Sequence, residues 1–143
     1  MRAWAIVAWA AFTIAWFLPT LNSGREMFAL RLPGWKAFLA AGTLAWDGGK
    51  MDFEWIRILS LAGMLSNVVV LISPWMLLRN AGVPGWFAAG IAAAFAVNLG
   101  WVAAGKITDL GPGYWLWLGS MGVLAVIAFM RRRQQALSGS RHS

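Results

Sequence analysis

The chain contains no cysteine, one histidine and only five acidic residues among 143. The missing cysteines exclude disulfides, thiolate metal sites and cysteine nucleophiles together. The one histidine, His142, is the penultimate residue, so imidazole cannot anchor a haem or metal site within the apolar part of the chain. The acids, Glu26, Asp47, Asp52, Glu54 and Asp109, all lie outside the long apolar runs. An enzyme working inside those runs would lack the usual bases, nucleophiles and metal ligands. No phosphate-binding glycine motif or catalytic triad compensates. The expectation is a protein that is not an enzyme, with no cofactor, no metal site and no catalytic residues.

What is present is apolar. Hydrophobic residues make up 60% of the chain and charged residues only 12%, too lopsided for a soluble domain of this length. A helical crossing needs about 20 apolar residues, and four runs qualify approximately, over 3–18, 55–78, 83–104 and 113–130. The predicted fold class is all-α: an integral membrane four-helix bundle, one domain over 1–133. The first run reads as an uncleaved helix, because 19–24 offers no clean small-x-small cleavage site. Residues 19–54 form an outer loop, within which 34–41 is apolar but too short to cross and predicts a short interfacial or re-entrant helix, opened by Pro33 and stopped by Gly42. Residues 46–52, with Gly48 and Gly49, read as a turn. Pro74 should loosen the second span near one face, and 134–143 reads as a disordered basic tail.

Twelve Lys and Arg against five acids give a net charge of +7. In a soluble protein that balance would point to nucleic acid, but here the cations flank apolar runs and no nucleic-acid partner is expected. Arg131, Arg132 and Arg133 abut the fourth run, and Arg79 sits in the short second loop. As topology anchors they are expected to place both termini in the cytoplasm of a membrane crossed several times, with the long first loop outside. The Arg131 to Arg133 run is also able to attract anionic lipid, although anchoring is the simpler role. Most of the eleven tryptophans fall near run ends, as indoles do at headgroup level; Trp9, in mid-run, is the exception.

Gly85, Ala89 and Ala93 recur every four residues, as do Ala88, Ala92 and Ala96, and this makes the third span a candidate packing centre, either buried among the other three helices or forming the contact surface of a homo-oligomer. Polar residues inside spans are the default functional candidates, and they are Asn67, Asn98 and Ser66, followed by Ser73 and Thr13. Interhelical hydrogen bonding is the plainer role; a polar cavity opening outward is the functional one. Asp47, Asp52 and Glu54 could gather a cation, but the alternating spacing of a calcium loop is absent.

Two local stretches carry a resemblance. Pro33-Gly34-Trp35-Lys36-Ala37-Phe38 resembles a Pro-Gly-Trp-x-Ala-Phe element, and Gly113-Tyr114-Trp115-Leu116-Trp117-Leu118 a last-span opening, of a family of small uncharacterised bacterial inner-membrane proteins with four spans. Asn67 matches a polar position in that family's second span, where Val68 stands in place of a frequent proline. The resemblance implies the four-span fold and its location, and no activity. Small multidrug exporters share the size and helix count, but they need a glutamate inside the first span, and 3–18 contains no acid.

The functional expectation is a non-enzymatic integral membrane accessory or interaction protein, a small subunit or modulator of a larger membrane complex. Its partners would be the lipid bilayer and another membrane protein or copies of itself, with Trp35 and Phe38 as the contact residues. The alternative is a homo-oligomeric pore, permease or holin-like protein in which Asn67, Ser66 and Asn98 line the path.

Overall fold

The structure, a computed structural model, describes residues 1–22, 31–46, 54–79, 82–104 and 110–139. In chain order these form α1 (Arg2–Ala15), β1 (Pro19–Asn22), β2 (Arg31–Pro33), α2 (Gly34–Trp46), α3 (Glu54–Leu71), α4 (Ser73–Leu78), α5 (Gly85–Ala104) and α6 (Pro112–Gly139). The architecture is all-α, the two strands forming no more than a short ribbon. The glycine-containing turn expected at 46–52 and the acids Asp47 and Asp52 lie almost wholly outside the described residues.

α1 buries Ala5, Ala8, Phe12 and Ala15, a three- and four-residue spacing that lays one small-residue face along α6. The helix stops at Ala15 rather than Leu18. Pro19 disfavours helical backbone at the residue before it, and the last turn tightens, with the amides of Trp16, Phe17 and Leu18 reaching the carbonyls of Thr13, Ile14 and Ala15.

The segment read as an outer loop is more ordered than expected. β1 and β2 pair antiparallel, Pro19 with Pro33, Leu21 with Leu32 and Asn22 with Arg31, with a bulge between Pro19 and Leu21. The ribbon returns the chain to the end of α1, where the Gly34 amide donates to the Leu18 carbonyl at 3.1 Å and the Trp35 amide to the Trp16 carbonyl at 3.0 Å. The Gly111 amide, just before α6, donates to the Thr20 carbonyl at 2.8 Å. Backbone meets backbone here, and glycine is what permits it. A Cβ on Gly34 would stand 2.8 Å from the Ala15 carbonyl oxygen and one on Gly113 2.8 Å from that of Leu18, while one on Gly111 would collide with that of Pro19.

α2 runs past Gly42, its expected stop, to Trp46. It lies against α3, and Gly42 leaves room for the Met64 side chain, whose Cε is 3.4 Å from where a Cβ would be. The second span is one rod broken at Ile72, with Pro74 in the first turn of α4; the break comes where proline was expected to cause it, since Pro74 has no amide to donate back. α5 packs between α3 and α6, but not through the expected stripe. Ala89, Ala92, Ala93 and Ala96 are exposed, and the buried face is Phe87, Ala88, Ile91, Ala94 and Asn98. Large side chains fill the core, and Phe95 rests on Gly122 of α6 instead.

α6 continues through 131–139, so the expected disordered tail is helical as far as Gly139. Two anchors explain it: the Val83 amide donates to Gln135 Oε1 at 3.3 Å, and Arg131 donates to the Arg79 carbonyl at 3.4 Å. The core joins Phe12, Val70, Leu77, Phe87, Ile91, Met121, Leu124 and Ala128. The outer surface is also apolar, with Trp4 67%, Trp75 70% and Trp86 64% exposed at the arginine-rich end and Phe17 74% at the other. Two helical segments, Ser60–Leu78 and Pro112–Leu137, are long and apolar enough to cross a membrane; Arg2–Ala15 and Gly85–Gly100 are shorter apolar helices.

The glycine contacts give a paired prediction. Gly113→Ala should lower stability by about 1–3 kcal/mol, as overpacking does, because its neighbour is rigid backbone. Gly119→Ala, with nothing within 4 Å of the new Cβ, should be neutral or stabilising by up to about 1 kcal/mol through helix propensity. Thermal unfolding in detergent, followed by circular dichroism, separates the two.

Candidate functional site

The polar candidates converge between α3, α5 and α6. The level is set by Met121, midway along 112–130 and about 13 Å from either end of that run at the helical rise. Asn98, fully buried, donates through Nδ2 to Ser66 Oγ at 2.8 Å and to the Ala94 carbonyl at 2.7 Å, with Met121 Sδ 3.5 Å away. A carbonyl only accepts, so Ala94 fixes the amide with its nitrogen on that side. Ser66 in turn donates to the Gly63 carbonyl at 2.6 Å, and Asn67 Nδ2 donates to the same carbonyl at 2.9 Å. The indole of Trp117 donates to Asn67 Oδ1 at 3.1 Å. The Tyr114 hydroxyl donates to the Asn98 backbone carbonyl, and Ser120 donates to that of Trp117 at 2.7 Å.

The sequence produces this cluster by two devices. Ser66, Asn67, Asn98 and Ser120 each bond back to a carbonyl three or four residues earlier on their own helix, which satisfies a buried donor locally. The remaining capacity then bridges helices: Asn98 ties α5 to α3, Trp117 ties α6 to α3, and Tyr114 ties α6 to α5. Asn98 Oδ1, Ser60 Oγ and Ser73 Oγ are buried without a hydrogen-bond partner among the described residues.

Asn67, Asn98 and Ser66 are thus brought together, though Asn67 and Asn98 do not bond each other; Asn98 takes Ser66 and Asn67 takes Trp117. All three face the interior of a single chain rather than its surface. Trp35 is exposed, with Lys36 Nζ 5.3 Å above its ring. Phe38 is partly exposed, and its ring lies tilted against that of Trp16 at 5.3 Å, at the end of α1. Arg79, Arg131, Arg132 and Arg133 gather at the opposite end, where α4 stops and α6 emerges.

Sequence reasoning missed Tyr114, Trp117 and Ser120 as members of the cluster: the two aromatics entered only through the stretch that opens the last span, and Ser120 not at all. It also passed over Ser60. The signal was present in the spacing: Ser60 and Asn67, like Ser66 and Ser73, are seven residues apart, which is one helical face.

Chemically the cluster is a set of neutral donors and acceptors. Among the described residues no group of His, Asp or Glu could hold a metal. The arrangement fixes helix positions and registers. No protein-family model, no curated protein and no solved structure matches the chain.

The bridge from Trp117 to Asn67 is testable as a pair. Asn67→Leu, Trp117→Phe and the double variant should show a coupling of about 0.6 kcal/mol, the usual worth of such a bond between membrane helices. Additive effects in a detergent unfolding titration would mean the two side chains do not interact.

Proposed function

We propose that this chain is an integral protein of a bacterial inner membrane, crossing it four times through α1, α3 with α4, α5 and α6, with both termini in the cytoplasm. Its role is that of a non-enzymatic accessory or interaction protein, a small subunit or modulator of a larger membrane complex. The observation that carries this reading is the inversion of polarity: hydrogen-bonded Ser66, Asn67 and Asn98 lie inside, while Leu61, Leu65, Val68, Val126 and Phe129 face outward. A surface of that kind favours hydrocarbon and other apolar helices over water.

Several features support the four crossings. Exposed Trp4, Trp75 and Trp86 stand at the end that carries Arg79 and Arg131, and exposed Trp35 and Trp115 at the other, in the manner of two interfacial belts. The absence of acids from 55–108 and from 110–143 leaves the arginine-rich end with cations only, which favours the cytoplasmic side. The resemblance to small four-span inner-membrane proteins agrees with this arrangement. The two stretches that carry it, at Gly34 and Gly113, both close on the end of α1.

Ser66, Asn67 and Asn98 spend their donors inside the bundle, so the chain offers partners its apolar flank and its outer end. Trp35 is exposed on that end, as are Phe17 and Trp115, and it stands next to the cationic Lys36. A path between copies, as in a pore or permease, would need residues other than Asn67, Ser66 and Asn98, because these face the interior of one chain.

Native mass spectrometry of the protein gently extracted from its own membrane tests the reading. A stoichiometric foreign subunit, lost on Trp35→Ala substitution, is the expected result; a pure homo-oligomer would overturn it in favour of the pore or permease. Topology is checked in the same strain by Lys36→Cys and Gln134→Cys, in a chain without native thiols. An impermeant maleimide added outside should label the first alone.

A further inference from the structure

We propose that the arginine-rich end of the bundle is a binding site for a phosphate group, held by Arg131 and Arg132 of α6 beside the first turn of α5.

The site is assembled by the helical extension of α6. Gly82, at φ +89°, turns the chain between α4 and α5, and a Cβ there would stand 2.9 Å from Gln135 Nε2. The Val83 amide is held by Gln135 Oε1 at 3.3 Å. Two residues later the guanidinium of Arg132 lies against Gly85, with Cζ and Nη1 2.9 Å and Nη2 3.0 Å from the place a Cβ would occupy. Only a glycine at the head of α5 lets that guanidinium come so near. Arg131 donates from Nη2 to the Arg79 carbonyl at 3.4 Å, while its Nη1 is buried and without a partner among the described residues. Arg79 itself leans over the Trp75 ring at 5.8 Å.

This arrangement concentrates positive charge. Arg131 is held at the end of α4 and the Arg132 guanidinium lies at the start of α5, a helix end that carries partial positive charge of its own. No acid stands in the first turn of α5. Glu54 is the single acidic residue among those described, and it opens α3 at the opposite end of the bundle. An anion relieves all of these terms together. Forked guanidinium donors fit the oxygens of a phosphate, and a helix start adds amide donors to the same group. Arg133, one position further round α6, is exposed and has no such setting.

The phosphate could belong to an anionic lipid headgroup or be free in solution. The lipid source rests on the membrane reading above, and the exposed rings of Trp4, Trp75 and Trp86 at this end agree with headgroup level. The free source does not depend on that reading, so failure of one leaves the other standing.

The test uses the full chain in detergent, titrated with phosphatidylglycerol, with phosphatidylcholine and with inorganic phosphate, and read by native mass spectrometry and thermal shift. Phosphatidylglycerol should bind, and the double variant R131Q/R132Q should bind it about thirtyfold more weakly, at roughly 1 kcal/mol for each arginine. R133Q should stay close to wild type. Should R131Q not fold, R132Q alone carries the comparison, since its side chain is exposed. Binding of inorganic phosphate with the same dependence on Arg131 and Arg132 would support the site with a free anion as its source. Equal losses in R131Q, R132Q and R133Q would overturn the proposal in favour of a diffuse basic surface. So would equal binding of phosphatidylcholine, or no binding of either anionic probe.

Discussion

Hydrophobicity cannot tell the helices of this protein which way to face. Leu65 and Val68 of α3 point outward while Val70 is buried, and α5 is apolar around its whole circumference, with Trp86 outside and Phe87 inside. Water would sort faces that differ in polarity, but here the outward and inward faces are alike in being apolar. Something else must fix helix rotation and register, and two kinds of contact do so. One is the hydrogen-bonded cluster at the midplane. The other is the close backbone packing at the end of α1.

The two devices divide the work. The midplane cluster fixes the rotation of α3, α5 and α6, because turning any one of them would carry Asn67, Asn98 or Tyr114 away from its partner and into an apolar environment. It does little for α1, whose inward face is Ala5, Ala8, Phe12 and Ala15. α1 is placed by its end instead, where the carbonyls of Leu18, Thr20 and Trp16 accept the amides of Gly34, Gly111 and Trp35 in that order. Each such bond holds the backbone of two segments directly, so the glycines there are geometric requirements rather than flexible joints.

This division explains what was legible in the sequence. The all-α class follows from composition and run length, and most run positions agree with the helices within a few residues. Asn67, Asn98 and Ser66 stand out because polar residues are scarce in such runs, and the structure brings them to one place. What sequence could not give is which partner each would choose. Asn98 pairs with Ser66 rather than Asn67 because α3 and α5 are antiparallel with a particular offset, and that offset is set by packing. The ribbon of β1 and β2 was missed because Pro19 and Pro33 read as breakers, and breakers at both ends conceal a strand pair. Of the small-residue stripes of α5 only Ala88 enters the core and Ala89, Ala92, Ala93 and Ala96 stay outside, because the large Phe87 and Ile91 fill the space between the helices.

The ends of the bundle then differ in kind. At one end the chain closes on itself through backbone hydrogen bonds and needs no charge to do so. At the other, α6 runs on past Met130, and Gln135 and Arg131 clasp the turn before α5. That clasp holds Arg131 at the end of α4, and the nearby sequence contains no acid to balance it. The exposed Arg132 lies with its guanidinium over Gly85, a glycine whose missing side chain makes the space. The asymmetry therefore places structural closure at the end of α1 and leaves the arginine end as the part of the molecule whose electrostatics are completed from outside.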